Sequence, residues 1–315
     1  MMGRWTCQHR AAIGGRPAMN DTPSMVDQLD AIADRDDIDI DGRSVACRSW
    51  GVGPVVLLVH GASGCWTHWV RNIGPLSQRN RVVVPDLPGF GDSESLAGPP
   101  DAEHLADSLV QITDAVIGAE AQLDIVGFSF GGIVAGLAAH RMGQRAQHLV
   151  VISAGGIGIN ARVAGGPRRG PRDELIRFMF ANPHTADDTA LDIHLDGQDR
   201  TRFKTGSIPS STLLLDVIGQ LTAELHVVYS DRDAFGGGNP SVRLERILGS
   251  RPDAKCHTIT NAGHWSPYEA PDQINAILTQ VLAPTAASSQ AAERFGQRNM
   301  PHTLGDDVEP DIAPN

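Results

Sequence analysis

Six short runs of apolar, mostly β-branched residues recur along this chain, each set off from the next by a stretch with helical character. Few folds accommodate that order. The runs are 55–59 (VVLLV), 81–84 (RVVV), 123–126 (LDIV), 148–153 (HLVVIS), 225–229 (LHVVY) and 254–259. Their near-continuous apolarity is what strands covered on both faces require, as in a parallel sheet. Helices are expected near 66–77, 102–117, 130–142, 212–222, 241–249 and 270–282. Strand alternating with helix predicts an α/β class, doubly wound sheet. Asp41-Gly42 lies between two short alternating runs, which predicts an opening hairpin.

One interval breaks the alternation. From about Gly158 to Ser207 there is no strand pattern; a GGPRRGPR stretch is followed by helical pieces, ELIRFMF and ALDIHLDG. Leu175, Ile176, Phe178, Met179 and Phe180 would give such an insertion an apolar face, so residues 158–207 are expected to form a helical lid over the sheet edge. The core is then expected at 37–157 and 208–283. Residues 1–36 read as a loosely attached arm, with Met19 or Met25 as further candidate starts, and 284–315 as a disordered tail.

Composition narrows the function classes. Hydrophobic residues make up 41% of the chain, enough for a sizeable core. A net charge of −11 disfavours a nucleic-acid partner, which needs a basic face. No apolar run is long enough for a membrane span. The first residues lack the apolar stretch of a secretion signal. Cys7, Cys47, Cys65 and Cys256 are widely spaced, so they read as free thiols of a cytoplasmic protein. No HExxH or Cys/His cluster points to a metal, and no cofactor is expected: Gly155-Gly156-Ile157-Gly158 does not complete a dinucleotide fingerprint.

The chemistry concentrates in a few loops. Gly127-Phe128-Ser129-Phe130-Gly131 follows one apolar run and opens an apolar helix, the context in which a GxSxG turn lifts a serine hydroxyl above a sheet. A serine needs a positioned base, and His264, in a loop after the last run, can supply it from the same edge. The base needs a carboxylate, expected between the two in chain order. Asp231 and Asp233 compete; Asp233, further into the loop, is preferred, and Asp231 is expected to organise the turn or pair with Arg232. Oxyanion donors are expected at the amides of Phe130 and Ala62. His60 is expected to brace its loop.

HGASG, PDLPGFGDSE (Pro85–Glu94), VGFSFGG and AGHWSPYEAP resemble, in order, the signature segments of α/β-hydrolase-fold hydrolases. The resemblance spans about residues 37 to 283 and implies a mostly parallel sheet of about eight strands with a lid. Cys65–Pro75 and Gly263-His264-Trp265 resemble the meta-cleavage-product hydrolases, which cut carbon–carbon bonds in vinylogous diketones from aromatic degradation. Those enzymes usually carry asparagine where this chain has His68 and Phe128, and Met where it has Phe130.

Aromatics are only 5% of the chain, yet Trp66, Trp69, Phe128, Phe130, Trp265 and Tyr268 fall in or beside these segments. Trp66, His68, Trp69, Phe128 and Trp265 are therefore expected to bind substrate in an apolar cleft. Arg168, Arg169, Arg172, Arg200 and Arg202 could meet a carboxylate, or stay solvated. The leading expectation is a serine esterase for a small ester or ketone with an apolar acyl or aryl part, acting as monomer or homodimer. A carbon–carbon hydrolase is the alternative. A non-catalytic ligand receptor would predict a lost triad member, and none is missing.

Overall fold

Along β3 (Val55–Val59), Leu57 and Val59 face one apolar core while Val56 and Leu58 face another. β6 (Ala146–Ile152) does the same, with Leu149 and Val151 on one side and Val150 and Ile152 on the other. Burial on both faces is why these runs are apolar without alternation. The computed structural model describes residues 23–98, 101–159, 169–237 and 239–282.

The remaining strands are β1 (Asp34–Ile40), β2 (Arg43–Trp50), β4 (Arg81–Pro85), β5 (Leu123–Phe128), β7 (Glu224–Ser230) and β8 (Lys255–Ile259). They form one eight-stranded sheet in the order β1-β2-β4-β3-β5-β6-β7-β8. The β1–β2 and β2–β4 pairs are antiparallel and every later pair is parallel. The chain turns from β2 into β3 and then winds outward both ways, since β4 lies on one side of β3 and β5 on the other. A crevice opens where the winding reverses, at the carboxyl ends of β3 and β5.

Helix α1 (Met25–Ala31) precedes the sheet, and α2 (Ile73–Ser77), α3 (Ala102–Ile117) and α4 (Phe130–Met142) lie within its first half. In the stretch between β6 and β7, α5 (Pro171–Glu174) runs into a π turn over Leu175–Met179, closed by Phe180 N–H donating to Leu175 O at 3.0 Å. Next come α6 (Asp188–Asp199) and α7 (Leu213–Ile218). The last helices are α8 (Ser241–Ser250), α9 (Ser266–Glu269) and α10 (Pro271–Val281). Leu175, Phe180, Ala186, Ala190 and Ile193 of the inserted stretch join the second core, so its apolar side is packed.

One described region departs from expectation. Residues 23–36 do not behave as an arm. Ser24 and Asp27 cap α1 reciprocally, and Arg48 and Trp50 hold that helix through Asp30 (2.7 Å) and the Leu29 carbonyl (2.9 Å). β1 then begins at Asp34 in unbroken register with β2. Its sequence, DRDDIDI, reads as solvated because it is an edge strand whose acidic residues face water. The hairpin turn lies at Asp41 (φ 53°) and Gly42 (φ 74°), both left-handed, as a tight primed turn needs. The expected tail at 284–315 and residues 160–168 of the insertion lie outside the described residues.

Helix α4 approaches the sheet closely. A Cβ on Gly131 would lie 2.2 Å from the His60 carbonyl oxygen and 2.5 Å from that of Val59, both backbone atoms of the β3 end. Gly131→Ala should therefore cost about 3 kcal/mol or more in urea unfolding. Gly74→Ala, where nothing lies within 4 Å, should be neutral or stabilising by up to about 1 kcal/mol.

Candidate active site

Ser129 joins β5 to α4 with φ 54° and ψ −118°. Such a backbone is costly for a residue with a side chain and persists only where its surroundings enforce it. Its N–H donates to Ile152 O at 2.8 Å, and Gly132 N–H donates to its carbonyl at 3.0 Å. Besides Asp41, the described non-glycine residues with left-handed backbone are Ser63, Ser129, Ser153 and Asn261. Each follows the carboxyl end of a strand, so the strain collects at one edge of the sheet.

His264 and Asp233 reach Ser129 from loops that are tied together. Arg232 N–H donates to Ala262 O at 3.1 Å, and Ala262 N–H reaches Asp231 Oδ1 at 3.4 Å. With the loops so fixed, His264 Nε2 lies 2.8 Å from Ser129 Oγ, and His264 Nδ1 lies 2.9 Å from Asp233 Oδ2. Asp231, the rejected candidate, braces the loop and does not touch the ring. Asp233 Oδ1 accepts from the amides of Phe235 (2.8 Å) and Gly236 (3.2 Å). Burial alone would raise the Asp233 carboxyl. The adjacent His264 ring, Arg243 and the Phe235 amide outweigh burial and hold it below its ordinary value.

Arg243 was not foreseen. It sits buried in α8, donating to Ala154 O at 3.2 Å and Phe235 O at 2.6 Å. Within an amphipathic helix it reads as one more surface arginine. Phe235 was also missed, although it lies two residues past Asp233; its ring centroid is 4.6 Å from that of His264, and Phe178 lies 6.2 Å beyond it.

His60 and His68 frame the loop after β3. His60 Nε2 accepts from Leu87 N–H at 2.9 Å, which leaves the Nδ1 proton to donate to Gly61 O at 2.9 Å. Gly61 N–H donates to His68 Nδ1 at 3.2 Å, which places the His68 proton on Nε2. Burial, with His60, His194 and His264 nearby, pushes His68 well below its ordinary value, so it is a neutral ring. Since Gly61 N–H is taken, the next amide in that loop is Ala62, whose residue is half-buried. Phe130 is the first residue of α4, where amides have no partner within the helix. Ala62 and Phe130 are thus the two expected donors flanking Ser129.

The aromatic residues divide. The Phe128 ring lies 5.3 Å from His264 and 5.6 Å from His68, close to Ser129. Trp265 is stacked on Phe180 at 5.6 Å and donates to His68 O at 3.1 Å, so it supports the loop. Trp66 and Trp69 differ from expectation. Trp66 packs on Trp50 at 5.6 Å with Arg48 at 5.0 Å, and Trp69 is wholly inside the second core. Large indoles beside a motif pack the walls as readily as they line the cleft, and sequence alone does not separate the two.

Three arginines of the insertion are committed elsewhere. Arg172 binds Ala186 O and Asp188, Arg200 binds Asp92 and Asp196, and Arg202 binds the carbonyls of Gly91 and Ser93. Arg169 is exposed, and Arg168 lies outside the described residues. Among the described residues, no group of three or more His, Cys, Asp or Glu could hold a metal ion.

A serine, imidazole and carboxylate in series, beside backbone amides, are equipped to attack a carbonyl carbon. The alpha/beta hydrolase family profile matches residues 56–277. A 2-hydroxy-6-oxononadienedioate/2-hydroxy-6-oxononatrienedioate hydrolase of Comamonas testosteroni is 26% identical, over 74% of this chain and 89% of its own. A 2-hydroxy-6-oxo-6-phenylhexa-2,4-dienoate hydrolase of Burkholderia cepacia is 23% identical over the same shares. A thermophilic esterase of Thermogutta terrifontis shares the fold, with a TM-score of 0.61 and 24% identity over 79% of this chain and 98% of that one.

Replacing Arg243 with Met would take a donor from the Phe235 carbonyl, leave the Ala154 carbonyl with only the Tyr229 hydroxyl, and remove a cation that holds Asp233 charged. The expected loss is about 2–4 kcal/mol in urea unfolding at neutral pH. A depressed carboxyl stabilises the fold above its unfolded value of 3.8, and that contribution is lost as pH falls through the folded value. Without Arg243 the folded value rises toward the unfolded one, so the acid-unfolding midpoint should move to higher pH.

Proposed function

The chain belongs to the alpha/beta hydrolase family, and from that premise we propose that it is a serine hydrolase of carboxylic esters with an apolar acyl or aryl part. The observation that carries the reading is the series of contacts Ser129 Oγ to His264 Nε2 (2.8 Å) and His264 Nδ1 to Asp233 (2.9 Å). In the proposed cycle His264 takes the Ser129 proton as Oγ bonds to the ester carbonyl carbon. The Phe130 and Ala62 amides hold the resulting oxyanion. The intermediate collapses with the C–O bond breaking, and His264 returns the proton to the departing alcohol. Water, deprotonated by His264, then releases the acid and restores Ser129. Asp233 stays charged throughout, fixing the ring tautomer and balancing the imidazolium. The insertion between β6 and β7 serves as the lid, with the half-buried Phe178 and Phe235 giving the acyl side its apolar walls.

Charge favours a neutral substrate. Arg172, Arg200 and Arg202 already have partners, and His68 is neutral. A carboxylate brought to these three arginines would have to compete with their present partners. One observation favours a second reading: both dienoate hydrolases named above align with three quarters of the chain, and the same triad could cut a carbon–carbon bond of a vinylogous diketone.

Ser129→Ala should lower kcat by about 10⁴-fold or more, and Asp233→Asn should cost far more activity than Asp231→Asn. The converse ranking would transfer the acid role to Asp231. A panel of neutral aryl and alkyl esters run beside a ring-cleavage dienoate separates the two substrate readings. Turnover of the esters is expected; turnover of the dienoate alone would replace the ester assignment with carbon–carbon cleavage.

A further inference from the structure

The segment that carries His264 is bonded directly to the lid, and one side chain makes most of the connection. Glu269, the last residue of α9, accepts three backbone hydrogen bonds. Its Oε2 takes Gly263 N–H at 2.5 Å and Ala181 N–H at 3.1 Å, and its Oε1 takes Asn182 N–H at 2.7 Å. Gly263 immediately precedes His264. Ala181 and Asn182 immediately follow the π turn and Phe180. Trp265 N–H, on the other side of His264, donates to Met179 O at 2.9 Å. His264 is thus tied to the same lid stretch on both sides, directly through Trp265 and by way of the Glu269 carboxylate through Gly263, and neither link involves its own ring.

The fit leaves no slack. A Cβ on Gly263 would lie 2.7 Å from Met179 O, 2.8 Å from Ala181 N and 2.8 Å from the Phe180 carbonyl carbon. The Phe180 ring stacks on Trp265 at an interplanar angle of 13°. The π turn just before it carries Phe178, which meets Phe235, which in turn lies against the His264 ring. A shift of residues 179–182 would therefore reach the imidazole by two routes, through the backbone and through the phenyl pair. Charged acceptors give the stronger hydrogen bonds, and a carboxylate has lone pairs for all three donors. No neutral side chain of this length does, because an amide offers one oxygen.

We propose that Glu269 is a positioning residue that sets the lid and His264 in one frame, so that the imidazole holds its distance to Ser129 only while the lid stretch is seated. The inference rests on the reading of His264 as the base. It assigns Glu269 no contact with substrate. Its effect is on the geometry of proton transfer, where a displacement of about 1 Å can cost on the order of 10²-fold in rate.

The test compares wild type with Glu269→Gln and Glu269→Ala by three readouts: thermal stability, kcat per site labelled by a fluorophosphonate, and amide hydrogen exchange at residues 181, 182 and 263. Glu269→Gln is expected to lower kcat per labelled site roughly 10- to 100-fold, with KM for a short-chain ester changed less than about 3-fold. Exchange at the three amides should quicken in both variants. A merely structural residue would reduce the labelled fraction and melting temperature while leaving kcat per labelled site as in wild type, and that result overturns the proposal. If Glu269→Ala does not fold, Glu269→Gln, which retains size and one acceptor, decides the matter. Failure of the fluorophosphonate to label wild-type Ser129 would defeat the nucleophile assignment instead. The exchange rates then judge the clamp alone: quickened exchange supports it and unchanged exchange refutes it.

Discussion

The 2.8 Å contact between His264 Nε2 and Ser129 Oγ is the interaction on which the site depends, and it joins residues 135 apart in sequence. A mostly parallel sheet makes such a meeting possible because strand after strand delivers its following loop to the same edge. Ser129 arrives from β5, Asp233 from β7 and His264 from β8, with β6 between the first and second. The reversal of winding at β3 adds the loop bearing Gly61 and Ala62 on the other flank. Each loop is then fixed by backbone hydrogen bonds to its neighbour, so the geometry is set before any side chain chooses a rotamer.

Charge is handled differently inside and around this edge. Next to Ser129 the described groups are aromatic and imidazole rings, backbone amides and the Asp233 carboxylate. Apart from Arg243, buried beside Asp233, arginines gather at the rim. Asp92 gathers Arg48 at 2.7 Å, Arg35 at 3.2 Å and Arg200 from the end of α6. Burial would raise the Asp92 carboxyl, but Arg48, Arg200 and Arg35 overcome it and keep it low. Its neighbour Asp86 is fully buried and raised by burial, yet accepts from Trp66 N–H at 2.8 Å and Asp92 N–H at 3.0 Å. Asp92 thereby ties the end of α6 to the opening hairpin.

The sheet was legible because two-sided burial leaves an unmistakable apolar signature, as in VVLLV and HLVVIS. Edge position hid β1: an acidic strand whose side chains face water looks like a solvated arm until its backbone partners are seen. Ser129, Asp233 and His264 could be nominated because the chemistry demands those residue types and the topology dictates their order. Arg243, Phe235 and Glu269 could not, since each acts through long-range contacts that leave no local pattern. Trp66 and Trp69 erred in the opposite direction. Their placement beside a motif suggested a cleft wall, but an indole buries the most apolar area of any side chain, and here that area fills the core.

A covalent intermediate is the central claim, and intact-mass spectrometry after rapid acid quench reads it directly. Wild-type protein mixed with a p-nitrophenyl ester should gain the mass of one acyl group, and proteolytic mapping should place it on the peptide containing Ser129. Acyl mass found on another residue, or steady ester turnover in a protein whose Ser129 peptide is never modified even when deacylation is slowed, would contradict the account.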